Sequence, residues 1–186
     1  MHLRRPTTPR VPPVEKVLAK ARANMVDSPV NAVNVLATLA TNRTVSNAFG
    51  AFAQTLLFRG SVDARLCEIV ILRMGWNCQA LYEFGQHTLF GRSVGMTDSE
   101  IYYTTRPIGQ GGWGEVEALL LQMTDDLYTD DCVSDTTWAA LETHYSHSDI
   151  IEFMAAGLAY RVVSGLLNSC GVQLDDGVPG WPELPA

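Results

Sequence analysis

Helical periodicity runs through almost the whole chain of 186 residues, and it restricts the fold more than any other feature. Apolar residues recur every three or four positions, as they do on the buried stripe of an amphipathic helix. No segment shows the strict polar and apolar alternation of a half-buried strand, and no turn signal joins two such segments into a hairpin. The sequence therefore predicts an all-α fold.

Proline marks the two ends of the helical region. Residues 1–13 contain four prolines, which prevent regular backbone hydrogen bonding, so we predict an irregular N-terminal arm there. Residues 175–186 are predicted to form a C-terminal tail of the same kind. The stretch between them, 14–174, has the length of one domain. Helix starts are marked by Pro29, by the capping-box sequence of Thr97–Glu100, by Ser134 or Asp135, and by Ser146–Asp149.

Net charge restricts the partners that the chain can have. The formal charge is −7 and the isoelectric point is near 5.0. Binding to nucleic acid requires Lys and Arg to neutralise phosphates, and the sequence has no basic stripe, so no nucleic acid partner is expected. The N-terminus lacks the apolar segment of a signal peptide, and no run approaches the ~18 apolar residues of a spanning helix. We therefore expect a cytoplasmic protein with no membrane partner.

The four cysteines are scattered along the chain at Cys67, Cys78, Cys132 and Cys170. They form no CxxC pair, and no cluster of Cys and His has zinc-binding spacing. This pattern is typical of reduced, mostly buried thiols in a protein of the cytoplasm. We predict neither a metal site nor any other cofactor.

Residues 63–74 are apolar on nearly every side, which predicts a helix in the core. Glu68 lies within this helix, and burying a carboxylate is costly unless it is paired or functional. Glu83 and His87 follow, four residues apart and so on one helix face. A neighbouring carboxylate favours the imidazolium and orients the ring for acid–base chemistry.

A break at Gly75-Trp76-Asn77 decides whether these three residues meet. On one continuous helix, Glu68 and His87 would lie roughly 28 Å apart, at ~1.5 Å of rise per residue. Glycine commonly ends a helix and asparagine commonly begins one. A chain that folds back at this point brings Glu68, Glu83 and His87 to similar depth in one buried cluster.

Three nearby residues are candidates for substrate binding. Tyr82 and Trp76 are predicted to line a pocket, and Arg73 to bind a substrate carboxylate through its guanidinium. Packing in the core is the alternative for the two aromatic residues. A structural salt bridge is the alternative for Arg73.

Three motifs carry a family resemblance: R-x-x-E-x-x-I-L-R from Arg65, Y-E-x-x-Q-H from Tyr82, and G-M-T-x-x-E-I from Gly95. In combination they resemble the carboxymuconolactone decarboxylase family, which includes the alkylhydroperoxidase D-type proteins. The resemblance extends over roughly residues 29–176. It implies an all-helical fold that assembles into homo-oligomers.

The chain departs from the peroxidase branch of that family, whose pattern is E-x11-C-x2-C-x3-H. Counted from Glu68, the pattern places Ala80 and Glu83 at the two cysteine positions and His87 at the histidine. A thiol peroxidase needs a nucleophilic thiolate and a resolving thiol. Cys78 is two residues from Ala80 and points to another side of the helix, so we reject this mechanism.

The resemblance and the Glu/Glu/His set favour a cofactor-independent acid–base enzyme. It would act as a lyase, decarboxylase or isomerase on a small carboxylate, lactone or enolisable carbonyl compound. His87 would be the general acid/base, Glu83 would tune it, and Glu68 would orient the site. Two alternatives stay open: a non-catalytic oligomeric binding or scaffold protein, and residual peroxide reduction through Cys67 or Cys78.

Overall fold

The computed structural model describes residues 4–24 and 33–184 of the chain. Within these ranges the protein consists of helices and irregular connections without any strand, which confirms the all-α prediction. The helix start predicted at Pro29 lies outside the described residues. The α-helices are α1 (Glu15–Asn24), α2 (Val33–Leu39), α3 (Arg43–Phe58), α4 (Ala64–Asn77), α5 (Leu81–Ser93), α6 (Asp98–Tyr103), α7 (Glu115–Asp130), α8 (Asp135–Leu141) and α9 (His147–Cys170).

Helices α4 and α5 form the predicted helical hairpin, but the chain turns later than predicted. Gly75 lies inside α4, which continues to Asn77, and α5 begins after Ala80 rather than after Asn77. The chain reverses at Gln79, whose φ of 51° places it in the left-handed region. A glycine ends a helix when it adopts that conformation, and Gly75 does not.

Helix α4 is the centre of the core. Every residue from Cys67 to Gly75 is buried, and α4 packs against α5, α7 and α9. In the part of the chain that the structure describes, α9 is also long and apolar enough to cross a membrane. Half of its most apolar window is buried inside the protein, where it packs against α3, α4, α5 and α7. Packing in the core therefore accounts for its apolar composition.

The capping box predicted at Thr97–Glu100 is confirmed at the start of α6. The Thr97 side chain accepts a hydrogen bond from the Glu100 amide, and the Glu100 carboxylate accepts one from the Thr97 amide at 2.7 Å. These bonds satisfy two backbone donors that a helix start leaves without partners. They fix the direction in which the chain leaves α5.

The described parts of both terminal segments, residues 4–13 and 175–184, lie on the helical body. At one end, Arg5 donates a hydrogen bond to the carbonyl of Cys78 at 2.7 Å, beside the hairpin turn. At the other end, the ring of Trp181 packs against the rings of Trp76 and Phe84 at 5.2 Å between centroids. The hairpin that carries the candidate site is therefore covered from two sides.

Alanine substitutions at two glycines of the hairpin distinguish the effect of helix propensity from that of close packing. A Cβ at Gly75 would have its nearest neighbour at an ordinary 3.6 Å, whereas a Cβ at Gly85 would lie 2.4 Å from the carbonyl oxygen of Pro179. We expect Gly75→Ala to raise the free energy of unfolding by about 0.5–1 kcal/mol, because alanine favours the helix. Gly85→Ala is expected to lower it. Denaturant unfolding of both variants measures the two signs; a destabilised Gly75→Ala protein would contradict the position of Gly75 inside α4.

Candidate active site

The α4–α5 hairpin brings Glu68, Glu83 and His87 together, as the sequence predicted. His87 Nδ1 lies 2.7 Å from Glu68 Oε2, and His87 Nε2 lies 2.9 Å from Glu83 Oε1. The three side chains are only 4–6% exposed. The imidazole is therefore held between two buried carboxylates, one from each helix of the hairpin.

Proton counting fixes the charge of this Glu–His–Glu cluster. Each of the two contacts needs one proton between nitrogen and oxygen, and a neutral imidazole supplies only one. A second proton is therefore shared by the cluster. Two carboxylates, one neutral imidazole and this additional proton together carry a net charge of −1, whichever atom holds the proton. Burial alone would lower the pKa of His87, but the attraction and hydrogen bonding of Glu68 and Glu83 outweigh it and raise the pKa to about 10. The imidazolium form is therefore favoured, and neither ring nitrogen has a free lone pair for a substrate.

A cavity of about 260 Å³ adjoins the cluster, between α2, α3, α5 and α9. His87 and Glu83 form part of its floor, while Glu68 lies behind His87 and outside the lining. Most of the wall is apolar. The apolar lining consists of Val35, Leu36, Leu39, Phe49, Ala53, Phe90 and Val163.

Glu83 is the acidic residue of this lining. Its Oε1 is paired with His87, and its Oε2 makes no further hydrogen bond within the described residues. Phe90 and Tyr160 pack against the imidazole, with ring centroids 5.2 and 4.5 Å from that of His87. These rings cover His87 and leave Glu83 as the group of the cluster with an oxygen available to a ligand.

Tyr82 lines the cavity with its ring, but its hydroxyl is already engaged. The hydroxyl donates to Asp175 Oδ2 at 2.5 Å and accepts from the backbone amide of Val35 at 3.1 Å. Burial, together with the hydrogen bond to Asp175, raises the pKa of Tyr82 well above its usual range. Tyr82 therefore offers a surface to a ligand, and its proton stays on the phenol.

Asp175 was not predicted as a site residue, yet its carboxylate joins three parts of the fold. Besides Tyr82, it accepts hydrogen bonds from the Asn34 amide at 3.0 Å and from Gln86 Nε2 at 3.1 Å. It thereby fixes α2, which carries part of the cavity wall, to α5. The residues that Asp175 binds are between 89 and 142 positions away in the sequence, so no local spacing pointed to it.

Arg73 and Trp76 are not brought to the cavity. Arg73 binds the Asp125 carboxylate through Nε at 2.7 Å and Nη2 at 2.6 Å, and its Nη1 donates to the carbonyls of Thr104 and Arg106. This is the structural salt bridge that the sequence left as the alternative. Trp76 packs edge-on against Trp181, away from the cavity lining. Neither residue lines this cavity, so the substrate-binding roles of Arg73 and Trp76 stay predictions from the sequence.

The thiols lie outside the cavity lining. Burial, with a contribution from the charge of Glu68, raises the pKa of Cys67 to about 12, and burial raises the pKa of Cys78. Both residues are therefore thiols rather than reactive thiolates near neutral pH. Among the described residues, no group of three or more His, Cys, Asp or Glu side chains has an arrangement that could hold a metal ion.

Three other hollows have more volume. The one beside the C-terminal segment, of about 350 Å³, has the carboxylates of Asp98 and Glu183 in its lining, but both residues are exposed and Asp98 is paired with Arg92. The remaining two lack ionisable groups suited to acid–base catalysis. One of about 350 Å³ lies beside the hairpin turn and is lined by Arg5, Gln79 and Asn168 among others. The other, of about 650 Å³, lies between α1 and α3. Their described linings contain no carboxylate, histidine or thiol. The cavity over the Glu–His–Glu cluster is therefore the candidate active site.

Comparison of whole structures identifies the fold. One similar structure is a peroxidase-related protein from Ralstonia eutropha with an alkylhydroperoxidase D core; it has 18% identity, a TM-score of 0.76, and coverage of 94% of this chain and 95% of that one. A peroxidase-related protein from Silicibacter has 13% identity, a TM-score of 0.77, and coverage of 97% and 95%. The chain has the alkylhydroperoxidase D-like fold. The resemblance found in the sequence is thus confirmed at the level of the fold.

The alkylhydroperoxidase D-like fold also occurs in an enzyme of different chemistry. The debrominase Bmp8 has 13% identity, a TM-score of 0.72, and coverage of 89% of this chain and 92% of that one. A variant of this debrominase was solved in complex with 2,3,4-tribromopyrrole, and it matches with a TM-score of 0.65. No protein-family model and no curated protein sequence matches the chain.

Replacing Asp175 tests its hold on α2. We expect Asp175→Asn to speed hydrogen exchange of the Val33 and Asn34 amides by about tenfold or more, because hydrogen bonds to a charged acceptor are lost. Exchange in α7 should stay unchanged. Asp98→Asn, which removes an exposed carboxylate paired with Arg92, is the control. Equal exchange of α2 in both variants would show that Asp175 does not fix this helix.

The raised pKa of His87 predicts a pH dependence of stability. The folded protein binds this proton more tightly than the unfolded chain, whose histidines titrate near 6.5. The stabilisation is therefore complete below about pH 6.5 and is lost as the pH rises through about 10. We expect the free energy of unfolding of the native protein to fall over this range relative to that of His87→Gln, as measured by denaturant titration. Parallel curves for the two proteins would contradict the shift.

Proposed function

We propose that this protein is a cofactor-independent acid–base enzyme that moves a proton on a small uncharged carbonyl compound, such as a lactone or an enolisable ketone. The observation that carries the proposal is Glu83, a buried carboxylate that lines a mostly apolar cavity and has one oxygen uncommitted within the described residues. A positioned carboxylate is one of the side chains that act as general bases in enzymes, provided that it lies within hydrogen-bond reach of the proton it removes.

In the proposed reaction, Glu83 Oε2 removes a proton from the carbon next to the carbonyl group. The C–H bond breaks, its electron pair forms the enolate, and Glu83 becomes neutral. Return of the proton from Glu83 to another carbon gives an isomer and restores the carboxylate. In elimination, the enolate electron pair forms a C=C bond as the leaving group departs from the β-carbon with its bonding electrons, and the proton on Glu83 passes to that leaving group. His87 and Glu68 act as positioning residues, because the imidazole holds Glu83 Oε1 at 2.9 Å and Glu68 holds the imidazole at 2.7 Å.

This assignment differs from the role expected for His87. The sequence predicted the imidazole as the group that exchanges protons with substrate, with Glu83 tuning it. The contacts of both ring nitrogens favour the reverse arrangement, in which the imidazole orients the carboxylate.

The negative charge of the cavity lining restricts the class of substrate that can bind. The cluster carries a net −1, and the described lining includes no Lys or Arg to balance a substrate carboxylate. Arg73, the predicted carboxylate ligand, is bound to Asp125 instead. Lactones and neutral carbonyl compounds therefore fit better than the carboxylates that a decarboxylation would require.

Assembly and location belong to the same proposal. Phe52, Ile151 and Val162 are apolar side chains that are 46%, 58% and 55% exposed, which supports a homo-oligomer that covers them. The four free thiols support a cytoplasmic protein. Neither point is needed for the chemistry of the cavity.

Proton exchange with solvent tests the proposed function. A panel of small ketones and lactones is incubated in D₂O with the protein, and deuterium at the carbon next to the carbonyl is followed by NMR. We expect Glu83→Gln to slow this exchange by about a hundredfold or more, which is typical for loss of a general base. Glu115→Gln, which changes an exposed carboxylate on α7, should leave it unchanged.

A scaffold protein would give a different result in this assay. No member of the panel would then exchange faster with the native protein than with Glu83→Gln. That outcome would favour the non-catalytic alternative. Peroxide consumption that survives Glu83→Gln but is lost on replacing Cys67 and Cys78 by serine would favour the thiol alternative.

A further inference from the structure

We infer that the cavity selects an uncharged ring compound that donates an O–H or N–H hydrogen bond to Glu83, and that it rejects anions. The inference rests on the proposed function for the assignment of this cavity as the substrate site. It goes further by naming which of the carbonyl compounds proposed above fits: a ring that also carries an O–H or N–H, which occupies one lone pair of Glu83 Oε2 while another faces the C–H bond. Four features support it: the cavity's size, its aromatic wall, its charge and its hydrogen-bonding groups.

The size and wall favour a flat ring. A cavity of about 260 Å³ holds one ring with a few substituents rather than a chain-like molecule. Phe49, Tyr82, Phe90 and Tyr160 contribute aromatic rings to the lining. Aromatic side chains pack against planar ligands face to face or edge to face.

The charge disfavours anions from two directions. The Glu–His–Glu cluster carries a net −1 on the α5 side of the cavity. Behind Tyr82 and Gln86 lies the carboxylate of Asp175, which is 7% exposed. The described lining includes no cationic Lys or Arg side chain, and apolar walls reduce the screening of like charges. A bound carboxylate would therefore meet repulsion without a compensating partner.

Hydrogen-bonding groups favour a donor on the ligand. Gln86 Nε2 donates to Asp175 at 3.1 Å, and the Tyr82 hydroxyl donates to the same carboxylate at 2.5 Å. The phenolic proton of Tyr82 and one N–H of Gln86 are thus committed to Asp175. Glu83 Oε2 accepts hydrogen bonds in its ionised form, so the complementary ligand group is an O–H or N–H.

Phenol, anisole and benzoate test the inference as a matched series of ring compounds. Phenol is neutral and donates a hydrogen bond, anisole is neutral and cannot donate, and benzoate is an anion of comparable size. We expect phenol to bind the native protein about tenfold more tightly than anisole, as expected for a hydrogen bond to a charged acceptor, and benzoate to bind most weakly. Calorimetric titration measures the three affinities.

The Glu83→Gln variant tests whether the preference for phenol arises from the carboxylate in this cavity. Removing the charge should abolish the advantage of phenol over anisole and should strengthen benzoate binding. Glu115→Gln, an equal change of charge on the exposed face of α7, should preserve the order of the native protein. The inference is overturned if anisole or benzoate binds as tightly as phenol, if none of the three binds, or if Glu83→Gln leaves the order unchanged.

The binding series tests this inference, and the exchange assay tests the proposed function, so each proposal can be contradicted without the other. Selective phenol binding without deuterium exchange on any carbonyl compound would leave this inference standing and remove the proposed function. Deuterium exchange that depends on Glu83, together with tight benzoate binding, would support the proposed function and contradict this inference.

Discussion

A carboxylate buried in the central helix is the constraint on which the rest of the site depends. Glu68 lies in the most apolar part of α4 and is 4% exposed, where an unpaired charge would be strongly destabilising. His87 supplies the partner, which requires α5 to fold back along α4. The second ring nitrogen of His87 in turn requires Glu83. The same hydrogen bonds therefore hold the core together and orient the group that faces the cavity.

Much of the fold was predictable because it depends on local patterns. Periodicity predicted the helices, Thr97 and Glu100 predicted a helix start, and the break at Gly75-Trp76-Asn77 predicted a hairpin. The turn was misplaced because a glycine is not obliged to use its conformational freedom. Gly75 stays helical beside Phe84, and the left-handed residue is Gln79, for which the sequence offered no signal. Tertiary packing of α4 against α5 decided between the two positions.

The site was predictable where its residues lie on one hairpin, and less so elsewhere. Spacing along α4 and α5 was enough to place Glu68, Glu83 and His87 together. Arg73 is on the same helix, but its partner Asp125 is 52 residues away, and only the fold shows that its guanidinium is committed there. The sequence also could not show which group of the cluster faces a ligand. This depends on how the ring of Tyr160, from α9, packs over the imidazole of His87.

The tie between α2 and Asp175 also has a consequence for biosynthesis. The Asn34 amide leaves the ribosome 141 residues before the carboxylate that it binds. The α4–α5 hairpin, whose partners Glu68 and His87 are 19 residues apart, can form much earlier during translation. Glu68 and His87 can therefore pair before Asp175 is available to fix α2 against α5. An unfinished chain that has formed this hairpin would still lack the contact that holds α2 at the cavity.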